Sequence, residues 1–186
     1  KQRVLYSQLE EMNIDSQLIK MNKKEVKLLE DHIAFLEAEI EKLIESDEDL
    51  SCKKKNIQSI PGVGKVVSWM IIAKTEGFTK IDNPRKMACY AGVVPFGYQS
   101  GTSLKYKPKV SYYADKSLKS ILHMAAMRAV RLENDLKEYY ERKIKEGKNK
   151  MAILNAVRNK IIHRIFALAK NGKSYEKNYI NSLNMS

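Results

Sequence analysis

Cysteine is scarce in this chain. Cys52 and Cys89 have neither metal-ligand spacing nor the number a disulfide framework needs, so a reducing, cytoplasmic setting is expected. No apolar run approaches the ~20 residues that span a bilayer, which excludes a membrane helix as the organising feature. No secretory leader is recognisable. Histidine is limited to His32, His123 and His163, all in helix-like segments. His123 and His163 lie close to apolar stripes, where a core or interface role is expected, so a Ser-His-Asp triad has no support. The first residue is Lys1, and the opening residues read as the middle of a helix. The chain is therefore expected to be the C-terminal part of a longer protein.

Charge of one sign is lacking in places, and this divides the chain. Residues 16–50 hold five Lys against ten Asp/Glu, a net of −5, whereas residues 51–186 hold 27 Lys/Arg against nine Asp/Glu, a net of +18. Such a basic field attracts polyanions and raises their encounter rate. Charge alone leaves two readings open, nucleic-acid binding and a solvated lysine-rich surface.

Residues 16–50 carry a heptad. Ile19, Val26, Ile33 and Ile40 occupy one inner position; Asn22, Leu29, Leu36, Leu43 and Leu50 occupy the other. β-Branched residues at the first position with Leu at the second favour a parallel two-stranded coiled coil, and a buried Asn can fix its register. An antiparallel arrangement stays open, because Val4, Leu5, Leu9 and Met12 form a short stripe that could fold back. So does a long helix packed on its own domain. Lys53 to Lys55 read as a basic hinge or a last helical turn.

Beyond the heptad, helical periodicity runs over 63–75, ended by Gly77, and over 84–90, with Asp82 or Asn83 as N-cap, Pro84 at the first position and Gly92 as the stop. One long helix is expected over 114–145, closed by Gly147, and another over 149–170, closed by Asn171-Gly172. Residues 93–112 largely alternate instead, around Ser100-Gly101-Thr102-Ser103, and predict a small β-hairpin or extended loop. The expected fold is mainly α: a coiled-coil or hairpin segment (1–52), a helical domain (53–173) with a helix-hairpin-helix-like turn and one small β-hairpin, and a polar tail (174–186).

Two motifs carry chemistry. In Ile60-Pro61-Gly62-Val63-Gly64-Lys65 the glycines permit close backbone approach. The N–H groups and dipole of the following helix favour an anion, and Lys65 adds charge. The turn either grips a nucleic-acid phosphate or merely packs two helices. It is not a Walker loop, since no Gly-Lys-Ser/Thr follows. The second motif is Ala91-Gly92-Val93-Val94-Pro95 followed by Gln99-Ser100-Gly101. It lacks the Gly-x-Ser-x-Gly elbow of hydrolases. Ser100 is either a turn residue or a nucleophile toward a phosphodiester, a reaction that needs nearby cations and a base. Arg85, Lys86, Lys105, Lys107 and Lys109 are candidate cations. No paired acids in the basic half resemble a two-metal site.

These residues resemble the C-terminal transposase domain of the insertion-sequence 110/116/902 family, over about residues 57–130. Leu118, Leu122 and the Ala125-Ala126 pair fit that family's Leu- and Ala-rich helix, and the preceding heptad fits its order of segments. Members usually carry a glycine-containing, Arg-rich stretch after the serine loop; here that stretch reads from Lys107 to Asp115 without glycine. The resemblance implies a DNA recombinase whose loop serine, Ser100 here or Ser103 under a shifted alignment, attacks DNA. The glycine turn and the local cations make Gly62, Gly64, Lys65, Arg85, Lys86, Lys105, Lys107 and Lys109 the candidate DNA contacts, and the heptad predicts homo-oligomers through the coil. By the same resemblance a structured guide RNA would bridge target and donor DNA. No cofactor or metal is expected in this part; a divalent metal, Mg²⁺, would be held by four acidic residues of a RuvC-like domain that precedes the coil. The part alone is expected to bind DNA without cutting it. Two other classes stay open: a non-catalytic helix-hairpin-helix module on a coiled-coil oligomer, and a coiled-coil assembly protein whose basic half meets an acidic partner.

Overall fold

The computed structural model describes residues 16–95, 99–100, 104–105 and 110–176, with the backbone alone at 99–100 and 104–105. The chain divides into two compact units, 1–47 and 48–186. In the first, α1 runs from Ser16 to Glu45, 30 residues. Asn22 and Ile44 are buried, while Leu29, Ile33, Leu36 and Leu43 are exposed. The heptad does not continue to its expected end. A turn at residues 46–47 interrupts it, and Leu50 lies on the next helix, packed against the core of the second unit.

The second unit is helical: α2 (Glu48–Gln58), α3 (Lys65–Thr75), α4 (Pro84–Tyr90), α5 (Lys116–Ala129), α6 (Asp135–Lys145) and α7 (Lys150–Asn171). The boundary expected after residue 52 falls inside α2. Lys53 to Lys55 are mid-helix, with Lys53 reaching Asp49 at 2.5 Å and Lys54 buried. Helix α7 is the hub, packing against α2, α4, α5 and α6, while α3 packs on α2 and α5. Its apolar stripe of Ile153, Leu154, Val157, Ile161, Ile162, Ile165 and Phe166 is broad because four neighbours cover it. Burying each such side chain contributes about 1.5–3 kcal/mol.

Caps set most boundaries. Asn83 Oδ1 accepts the Arg85 N–H at 2.8 Å to start α4, and Asn149 Oδ1 accepts the Met151 N–H at 2.9 Å to start α7. The single helix expected over 114–145 is two. Asn134 divides it: its buried Nδ2 donates to the Ala129 and Leu132 carbonyls at 2.7 and 2.9 Å, closing α5, and its Oδ1 accepts the Leu136 N–H at 2.8 Å, opening α6. Strands β1 (Gln99–Ser100) and β2 (Leu104–Lys105) pair antiparallel, Ser100 opposite Leu104. The rest of the expected hairpin is coil or turn at 93–95 and 110–112, or lies outside the described residues. The first residues of the polar tail pack on the helical unit. Tyr175 N–H donates to Ser59 Oγ at 2.7 Å, its hydroxyl to Asp135 Oδ1 at 2.6 Å, and Ser174 Oγ to Asn56 Oδ1 at 3.2 Å. Among the described residues no helix is long and apolar enough to cross a membrane.

Candidate nucleic-acid interface

The two glycines of the turn between α2 and α3 have opposite roles. Gly62 has φ +88°, and a Cβ there would lie 2.4 Å from the Ala125 carbonyl oxygen and 2.9 Å from Ala129 Cβ. Its freedom serves close packing on α5, whose Ala125, Ala126 and Ala129 leave room for that approach. The absence of a side chain at Gly62 is thus used for packing. Gly64 is placed differently. It is exposed, a Cβ there would touch nothing within 4 Å, and it is the N-cap of α3 without a side-chain cap. Lys65 and Val66 beside it are also exposed. The first N–H groups of an 11-residue helix therefore face outward uncapped, carrying the positive end of its dipole.

The serine loop leaves and re-enters the domain at one pinned base. Gly92, with φ +63°, stops α4 and passes so close to the returning chain that a Cβ would lie 2.7 Å from Ala114 Cβ and 2.9 Å from Val110 Cγ1. The Asp115 N–H donates to the Tyr90 carbonyl oxygen at 2.9 Å. The Asp115 carboxylate caps α5 through the Leu118 N–H at 2.9 Å, meets Lys74 Nζ at 2.9 Å and accepts from the Tyr90 hydroxyl at 3.4 Å. These contacts, the Leu118 N–H first and Lys74 next, hold its carboxyl below the usual carboxylate range. The opposite flank is held by Asn155 of α7, whose Nδ2 donates to the Val93 carbonyl oxygen at 2.7 Å.

Of the candidate residues, Arg85 and Lys86 are exposed on α4, Lys86 at 3.5 Å from Asp82. Ser100 and Lys105 lie on β1 and β2, and their side chains are outside the described residues, as are Ser103, Lys107 and Lys109. His32 and His163 are exposed and His123 is half-buried, so of the core or interface role expected for His163 the core alternative does not hold. Among the described residues no group of three or more His, Cys, Asp or Glu side chains could hold a metal ion. Sequence reasoning missed the clamp residues Lys74, Tyr90, Asp115 and Asn155. Asp115 had a signal, an acidic residue three before the first apolar position of α5.

The helical unit, with its pinned loop, carries a domain of the transposase type. Residues 54–141 match the family described as Transposase IS116/IS110/IS902 family, and the chain carries a domain of that family. It is similar to the pilin gene-inverting protein of Moraxella bovis, 26% identical over 149 residues, which are 79% of this chain and 46% of that protein. The pilin gene-inverting protein of Moraxella lacunata is 24% identical over 148 residues, with the same shares. The insertion element IS110 uncharacterized 43.6 kDa protein of Streptomyces coelicolor is 27% identical over 143 residues, 76% of this chain and 34% of that protein. The chain spans less than half the length of these curated relatives.

Proposed function

We propose that this chain is the DNA-handling part of a transposase that exchanges DNA strands through a serine nucleophile, Ser100. One observation carries the reading: the matched domain, 54–141, encloses both the glycine turn with its outward helix start and the loop pinned at Gly92 and Asp115 that bears Ser100. In this reading the α3 N-terminus at Gly64 and Lys65 holds a backbone phosphate as a helix-hairpin-helix turn does, without reading sequence. Arg85, Lys86, Lys105, Lys107 and Lys109 add cationic contacts. Gly62 supports the turn from within.

The chemistry is phosphoryl transfer to an alcohol. Ser100 Oγ attacks the phosphorus of a phosphodiester, its proton leaves to a base, a serine–phosphate ester forms, and one strand end departs as a protonated hydroxyl. Neighbouring cations stabilise the charge that builds on the phosphoryl oxygens. In this reading Mg²⁺ would be held by acidic residues of a preceding RuvC-like domain, and no step is assigned to it here. A guide RNA that bridges two DNAs and self-association through α1 belong to the same reading.

The test is Ser100→Ala in the full-length protein. Strand exchange and any covalent protein–DNA adduct should disappear while duplex binding persists. An adduct that survives this change and vanishes in Ser103→Ala moves the nucleophile to Ser103. One that survives both removes the loop serines as nucleophile. A second reading, a non-catalytic helix-hairpin-helix module that grips DNA, is favoured as an alternative by the exposed, uncapped start of α3.

A further inference from the structure

Turn positions between secondary elements ordinarily go to Gly, Pro, Asn, Asp or Ser. At the exit of the serine loop, residues 111–114 form a turn whose two central residues are Tyr112 and Tyr113. The Ala114 N–H donates to the Ser111 carbonyl oxygen at 3.2 Å, and the Tyr113 N–H to Ser111 Oγ at 3.2 Å. Both rings stand in solvent, 87% and 91% exposed, and they meet edge to face with centroids 5.9 Å apart. Among the described residues neither ring is buried against the fold, and the hydrogen bonds of the turn involve only its backbone and Ser111. The turn is nevertheless fixed from beneath, by Gly92 against Ala114 and by the Asp115 N–H on the Tyr90 carbonyl oxygen. The backbone that carries the two rings is thus held in place, which lowers the conformational freedom lost on contact.

Charge identifies the occupant. Lys116 Nζ lies 5.9 Å from the Tyr112 ring centroid. Residues 105–119 hold five lysines against the single acid Asp115, which is already engaged by Lys74. Exposed aromatic faces in a cationic setting suit a polyanion that itself carries flat rings: unpaired nucleobases on a phosphodiester strand. A paired duplex hides its base faces in the stack and offers such a platform little beyond phosphate.

We propose that Tyr112 and Tyr113, with Lys116, form a stacking platform for unpaired bases of a single strand at the foot of the serine loop. The proposal rests on the strand-exchange reading, because exchange must expose unpaired bases near the cut. The test uses this chain, a single-stranded DNA and a single-stranded RNA of about 20 nucleotides, and the matching DNA duplex. Base–aromatic stacking predicts that Tyr112→Ala with Tyr113→Ala lowers single-strand affinity about tenfold or more. Duplex affinity should stay within about twofold, and Tyr112→Phe with Tyr113→Phe should bind as the parent does. The strand type that shows the Ala-to-Phe difference identifies the ligand as DNA or RNA. In Tyr112→Trp, single strands should quench the new indole fluorescence, and Trp69, being buried, gives a steady background. Unchanged single-strand affinity in the Ala variant overturns the platform alone, provided the parent binds duplex. An equal loss on duplex and single strand, or a Phe variant as weak as Ala, also overturns it. A parent that binds no nucleic acid overturns the platform and the proposed function together.

Discussion

Lys74 Nζ lies 2.9 Å from the Asp115 carboxylate, tying the last turn of α3 to the N-cap of α5. Through this pair the helix that starts at the glycine turn is joined to the base of the serine loop. Asp115→Ala removes both the cap and the ion pair. A lost N-cap costs about 1 kcal/mol and a half-exposed ion pair at most about another. The variant should melt several degrees lower, whereas Asp115→Asn, which keeps the cap, should lose less than half as much. Equal losses in the two would show that charge, not capping, dominates. Because the Asp115 pKa is depressed in the fold, its contribution is present above the unfolded carboxylate value and fades as pH falls through the folded one.

The tail gives a second pH dependence of opposite sense. Burial first, then its hydrogen bond to Asp135, pushes the Tyr175 phenol up to about 12. Asp135 also meets Arg164, whose Nη1 donates to Oδ1 at 3.1 Å. A raised folded pKa means stability is fully present below the unfolded value, about 10, and is lost as pH rises through about 12. Denaturant midpoints between pH 9 and 11.5 should therefore fall more steeply in the parent than in Tyr175→Phe. Parallel curves would mean that Tyr175 titrates like a free phenol.

The helices of the basic unit were legible because local signals agreed. Asn83 before Pro84 and glycines at 77, 92, 147 and 172 all mark ends that the fold keeps. The break at Asn134 was hidden, because apolar periodicity runs through Val130 and Leu132 and only the buried side-chain amide of Asn134 separates α5 from α6. The clamp was hidden for another reason. Lys74, Tyr90 and Asp115 meet only in three dimensions, and no spacing along the chain encodes that contact. Gly62 and Gly64 looked alike as letters; their surroundings, a packed helix for one and open solvent for the other, assign them different roles.

Helix α1 exposes two apolar rows. Leu29, Ile33, Leu36 and Leu43 follow the heptad seam, and Met21, Leu28 and Phe35 recur every seven residues about 100° around the helix from Leu29 and Leu36. Self-association through the seam predicts that Ile33→Lys with Leu36→Lys yields monomers in sedimentation measurements. A two-stranded coil covers only the seam. Phe35→Lys should therefore leave a dimer unchanged but reduce the mass of any larger assembly. A parent mass equal to the monomer would remove α1 from any interface.

The glycine turn allows packing and phosphate contact to be separated by two substitutions. Gly62→Ala forces a side chain into a left-handed φ and onto the α5 backbone. Strain and overpacking together should cost roughly 2–4 kcal/mol, seen as a large fall in melting temperature. Gly64→Asp meets no atom and has an extended φ of −106° that any residue adopts. As an N-cap, Asp is at least as good as Gly, so stability should hold or rise by up to about 1 kcal/mol. The same carboxylate would stand where the proposed phosphate sits. Duplex affinity should fall by a similar factor for all sequences, and the slope of log affinity against log salt should become shallower by about one contact. Gly64→Ser caps without charge and should bind nearly as the parent does. If Gly64→Asp folds normally and its duplex affinity and salt slope match the parent, the turn serves only to pack α2, α3 and α5.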